Sequence, residues 1–178
     1  MPFAYYERLS ARSKRIYRQS DAIEKVDLPD AVALRPLVGE LAEALADEER
    51  RGTESACQKL ADAMLRQLKL PPVRISVLAA RPSKDWGELH GYYDPTREGV
   101  PPTITLWMRT AQKKQVVAFR TFLRTFLHEV GHHLDYELLR LAETFHTEGF
   151  YKRESSLFRQ LVVEEGETRG LAKSRSGG

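Results

Sequence analysis

Cysteine is nearly absent: Cys57 is the only one in 178 residues. That excludes an internal disulfide and any zinc site built from several thiolates. Cys57 falls in a helical pattern and reads as a small buried hydrophobe. Long apolar runs are missing too, and none approaches the roughly 20 residues of a membrane span. The first eight residues lack the apolar core of a secretory signal, so the expected location is the cytoplasm. There is no internal repeat and no low-complexity segment. Charge of one sign is also lacking. Twenty-eight Lys and Arg against 25 Asp and Glu leave a formal net charge of +3, which argues against a nucleic-acid partner. Arg8, Arg12, Lys14, Arg15 and Arg18 form a basic run that reads as a solvated helix face. What remains is the composition of one soluble domain, with 42% hydrophobic and 30% charged residues. It is long enough for a sizeable core. The domain is expected over 1–166, with a polar, disordered tail over 167–178.

Periodicity supplies the elements. Tyr5, Tyr6, Leu9, Ile16 and Tyr17 suggest a first amphipathic helix, and Leu34, Leu37, Val38, Leu41 and Leu45 a second. A third, carried by Leu60, Met64, Leu65 and Leu68, is expected to be capped by Thr53 or Ser55 and to stop before Pro71-Pro72. Val73, Ile75 and Val77 alternate as in a strand. Residues 88–93 and 103–108 read as two more strands, separated by the turn residues of 94–99. In 103–108, Ile104, Leu106 and Met108 share one face. A long helical pattern covers 116–141, and a last helix covers 147–163. The expected fold is α+β: N-terminal helices, a small three-stranded sheet, a long helix and a C-terminal return helix.

The long pattern contains His128-Glu129-Val130-Gly131-His132, an HExxH motif. Apolar residues recur at Val116, Phe119, Phe122, Leu123, Phe126, Leu127, Val130, Leu134, Leu138 and Leu141, and the two histidines lie off that stripe. Residues four apart stack on one helix face, so both imidazoles can grip one ion. Glu129 projects beside them, where it can take a proton from an activated water. Gly131 costs helix stability but clears space beside a metal and a substrate backbone. His133 points about 100° away from the pair and reads as a packing or surface residue.

A catalytic zinc ion needs a third protein ligand and an open position. Asp135 is too close along the same helix to reach round the ion, and reads as an outer partner of a histidine or a plain polar residue. Leu138 occupies the place where the metzincin pattern requires a third histidine. Glu154 and His146 remain. Glu154 sits amid Phe150, Leu157, Phe158 and Leu161, and a buried carboxylate needs a partner, either a metal or an arginine. If the long helix runs to Thr144 it carries the chain about 18 Å past His132. The return helix then brings Glu154 back to metal level and leaves His146 remote. If the helix stops by about residue 140, His146 becomes the ligand. The expected set is His128, His132 and Glu154.

The HExxH motif with a glutamate 22 residues after His132 resembles the gluzincin class of metallopeptidases. Glu154-Ser155-Ser156-Leu157-Phe158 resembles the corresponding helix of the ImmA/IrrE type, whose members cleave repressor proteins, although Ser-Ser stands where that family often has Ala-Asn. His146 with Phe150 four residues on resembles instead the SprT-type pattern. That pattern would give the metal to His146 and imply DNA-associated protein substrates. Either resemblance implies a zincin-like fold, and an edge strand, from 88–93 or 103–108, that pairs with extended substrate.

The expected activity is that of a zinc-dependent endopeptidase acting on a protein or peptide, a regulatory protein among the candidates. His128, His132 and Glu154 would hold Zn²⁺, Glu129 would be the general base, and His146, His90 or Tyr151 would steady the oxyanion. Two other classes are a metal-binding regulatory domain without proteolysis and a nucleic-acid-associated module. The base beside the ligands argues against the first. The scatter of Lys and Arg argues against the second.

Overall fold

The computed structural model describes residues 2–81, 83–84, 87–88, 90–95 and 97–163. The expected tail and the domain's end at 166 lie outside them. The chain opens with a short 3-10 helix, Ala4–Arg8, and then helix α1, Ala11–Asp21, whose first turn is capped by the Ser10 hydroxyl accepting from the Ser13 N–H. Thus the pattern over residues 5–17 is two elements, with Ser10 competing for the backbone between them. Helix α2, Ala31–Ala46, buries Leu34, Val38, Leu41 and Leu45, the stripe its spacing predicts. Helix α3, Arg50–Gln67, buries Cys57, Leu60, Met64 and Leu65. Its cap is neither Thr53 nor Ser55. The Glu49 carboxylate accepts from the N–H groups of Arg51 and Gly52, and the Thr53 hydroxyl turns back on the Glu49 carbonyl.

Strand β1, Arg74–Ala80, is followed by a two-residue antiparallel pair, β2 (Ser83–Lys84) and β3 (Gly87–Glu88). Strands β4, Gly91–Asp94, and β5, Thr103–Arg109, complete the elements of the sheet. The strand expected over 88–93 is therefore divided, because Glu88 pairs back on Ser83 while Gly91 opens a new pairing with Leu106. The three-stranded sheet has the order β1-β5-β4, with β1 parallel and β4 antiparallel to β5. The central strand buries Ile104, Leu106 and Met108 almost completely. Trp107, on the opposite face, is covered as well. Helix α3 packs on β1, and helix α4, Phe119–Glu137, packs on β4 and β5. No helix among the described residues is long and apolar enough to cross a membrane.

The decisive departure comes at the end of α4. The composition of residues 136–143 favours continuing the helix to Thr144, yet it stops at Glu137. The chain turns out through Arg140, whose φ of 55° is left-handed. Leu141 buries itself, and Thr144 folds back to donate to Asp135 at 2.8 Å. Tertiary contacts here outweigh a propensity worth only tenths of a kcal/mol per residue. Helix α5, Glu148–Leu161, begins at Thr147, whose hydroxyl accepts from the Phe150 N–H. Gly149 lets α5 approach α1 closely, since a Cβ there would run into the Asp21 carbonyl oxygen.

Candidate metal centre

Two turns of α4 and the ten-residue connection to α5 build the site. His128 and His132 lie one turn apart on α4, both half-buried and facing the cleft. Because the helix ends early, the connection brings His146 across them. The His146 Nε2 is 3.0 Å from the Nε2 of His128 and 3.0 Å from the Nε2 of His132. These three side chains form the group, among the described residues, that could hold a metal ion. The expectation that Glu154 completes the set meets a different arrangement here. It rested on a helix seven residues longer than the one that forms. The Glu154 carboxylate lies on the far side of His128 and accepts from its Nδ1 at 3.0 Å. Arg124 stands 3.7 Å from its other oxygen.

The donor chemistry fits a cation. The Thr144 hydroxyl gives its proton to the Asp135 carboxylate, so its oxygen accepts from the His132 Nδ1–H at 2.7 Å. Glu154 holds the proton of His128 on Nδ1 in the same way. Both rings therefore turn an Nε2 lone pair towards the same point as His146. Tetrahedral zinc, with bonds of about 2.0–2.1 Å, would set its nitrogens about 3.3 Å apart, close to the spacing found. Burial, reinforced by the neighbouring His128 and His146, lowers the His132 pKa to about 3, and burial also lowers that of His146. Neutral imidazoles are the form that binds a metal.

Asp135 reaches His132 only through Thr144. It is fully buried and paired with Arg153 at 2.8 Å. Arg153 in turn donates to the Ser20 carbonyl and hydroxyl. Burial raises the Asp135 carboxyl while the guanidinium draws it back. The buried acid–arginine pair on α5's inner face is thus Asp135–Arg153, with Glu154 only its neighbour. Gly131 is small for a reason other than the one expected. A Cβ there would stand 3.1 Å from the Phe150 Cζ, and the Phe150 ring packs 4.7 Å from His132 and 5.0 Å from His128. His133 is a core residue. It is fully buried, with Tyr93 at its Nδ1 and the Pro71 carbonyl at its Nε2.

Glu129 is 6% exposed and borders a cleft of about 630 Å³ with the three histidines and Gly91 of β4. A Cβ at Gly91 would come 2.7 Å from the Glu129 Oε1 and 2.8 Å from its Cγ, so the carboxyl would have to shift to admit one. Burial pushes the Glu129 carboxyl up to about 7, opposed by His128 and a backbone hydrogen bond from Tyr93, with Glu154 adding to the rise. A carboxyl raised in the folded state stabilises that state while protonated. The benefit is lost as pH rises from about 4.5 to about 7. Metal-free Glu129→Gln is therefore expected to be more stable than metal-free wild type by roughly 3 kcal/mol above pH 7. The difference should shrink towards zero near pH 4, as measured by denaturant unfolding across that range.

Of the three oxyanion candidates, His146 is drawn to His128 and His132. His90 lines the cleft, and the Tyr151 ring centroid is 6.0 Å from that of His128. Thr144, Gly91 and Arg153 escape the sequence reading. Arg153, next to Glu154, carries the only available signal, a charge inside an apolar stripe. In comparisons with known proteins, no family model, no curated protein and no solved structure matched the chain.

Proposed function

We propose that the protein is a metal-dependent peptidase, with zinc as the metal and His128, His132 and His146 as its ligands. The observation that carries this reading is the juxtaposition of Glu129, with a carboxyl pKa near 7, and an open face of three imidazoles in one cleft. A structural zinc site is closed by four protein ligands and needs no base. A divalent cation held here would act as a Lewis acid and lower the pKa of water towards about 7. Glu129 then takes the proton of the attacking water and passes it to the departing amine. Strand β4 is an edge strand of the three-stranded sheet among the described residues, and Gly91, Tyr92 and Tyr93 line the cleft. Its backbone offers an extended polypeptide a strand to pair with. The placement of His146 four residues before Phe150 supports the SprT-type resemblance over the gluzincin one.

The test is cleavage of a chemically unfolded protein mixture. Zinc-loaded protein is expected to create new N-termini. Dialysis against a chelator should abolish them, and zinc should restore them. Cleavage that persists after complete metal removal would refute the proposal.

A further inference from the structure

Beyond the metal cleft, a second cavity of about 530 Å³ lies on the other side of His146, walled by Phe3, Ala4, Tyr5, Arg8 and Tyr151. Its walls are rings. Phe3 stacks on Tyr5 with centroids 6.2 Å apart and meets Tyr151 edge-on at 6.1 Å. Tyr151 stacks on His146 at 5.9 Å. Such rings are ordinarily covered, yet Phe3, Tyr5 and Tyr151 are 40%, 37% and 42% exposed. The segment that carries them is nonetheless held in place. The Tyr5 hydroxyl donates to the His146 carbonyl at 2.9 Å, and the Phe3 N–H donates to the Tyr17 hydroxyl at 3.1 Å. With these polar groups engaged, the cavity presents ring faces. It also presents the exposed Arg8 guanidinium, which has no ion-pair partner among the described residues.

We infer that this cavity is a side-chain subsite of the proposed peptidase, and that its occupant is an aromatic residue of the polypeptide substrate. The inference rests on the proposed function and adds a specificity to it. His146 lines both cavities, so one imidazole separates the proposed reaction centre from the ring-walled pocket. An extended chain advances about 3.3 Å per residue, so a side chain within two or three residues of the scissile bond spans that distance. Strand β4 lines the cleft, and the pocket opens beyond His146. A substrate paired with β4 would direct alternate side chains past His146. Edge-to-face contact with Phe3 and Tyr151 favours a flat ring. Arg8 adds a cation at the ring face. An aliphatic side chain would gain neither.

The experiment has two arms on the full-length, zinc-loaded chain. In the first, cleavage sites in an unfolded protein mixture are mapped. An aromatic residue is expected to be enriched several-fold at one fixed position within three residues of the cut. Phe3→Ala/Arg8→Ala should lose that enrichment, and KM for an aromatic-containing peptide should rise about tenfold without loss of bound zinc. Phe3→Trp should retain the preference. In the second, N-acetyl-phenylalanine amide is titrated and followed by NMR, with N-acetyl-alanine amide as control. Shifts at Phe3, Tyr5, Arg8 and Tyr151 for the aromatic probe alone are expected, whether or not the protein cleaves anything. Aromatic-selective binding without cleavage would retain the subsite and remove the peptidase reading. Cleavage without aromatic preference, or equal response to both probes, would overturn the subsite.

Discussion

His146→Ala is expected to lose metal outright. Zinc affinity should fall by far more than the roughly 10- to 100-fold that removal of an outer partner costs. The residue keeps an exposed surface although its ring rests against Phe150 and Tyr151, so the metal-free fold should change by no more than about 1 kcal/mol. The loss would therefore report coordination and not unfolding. Glu154→Gln is the contrasting variant. Its amide still reaches His128 Nδ1, but as a neutral acceptor, so zinc should remain bound with affinity reduced within that 10- to 100-fold range. Isothermal titration of both variants separates the two assignments. Retention of tight binding by His146→Ala and its loss in Glu154→Gln would return the third position to Glu154.

Glu129→Gln is expected to keep zinc and lose peptide hydrolysis by roughly 10²- to 10⁴-fold, the range typical of a missing general base. The amide has the shape of the carboxyl and fits the space left by Gly91, where room is tight enough that a Cβ would lie 2.7 Å from the Oε1. No ligand is touched, so metal content and coordination should match wild type. The same variant is expected to gain stability when metal-free. Lower activity combined with a firmer fold is what a carboxyl buried for chemistry should give. Equal turnover in wild type and variant would remove Glu129 from the mechanism.

Where periodicity is local, the fold is readable from the residues. The alternation of Ile104, Leu106 and Met108 marks the central strand because each buries on one face. The stripe from Phe122 to Leu134 marks α4 for the same reason. The pairing of His128 with His132 also follows, since helical spacing alone brings them together. The end of α4 does not follow. Residues 138–143 have helical preferences, and what stops the helix is remote in sequence. Arg153 reaches Asp135 from the next helix, and Thr144 ties the connection to Asp135 and His132. The helix length decides which side chain nears the pair: a helix ending at Glu137 brings His146 to it, whereas one running to Thr144 would bring Glu154. A carboxylate within an apolar stripe signals a partner, but does not say whether that partner is an ion or, as here, a histidine. The role of Gly131 was hidden similarly, since its neighbour Phe150 lies across the connection.

Three imidazoles, with Glu129 beside them, are proposed to hold the metal at which peptide bonds are cut. The most direct measurement is crystallographic. The zinc-loaded chain, as Glu129→Gln, would be crystallised with an uncleaved peptide, and anomalous data collected on both sides of the zinc edge. The account predicts one anomalous peak about 2.0–2.1 Å from the Nε2 atoms of His128, His132 and His146, with a peptide carbonyl facing it and residue 129 alongside. A peak ligated by Glu154 with His146 turned away, or a fourth protein ligand closing the ion off from the peptide, would contradict it.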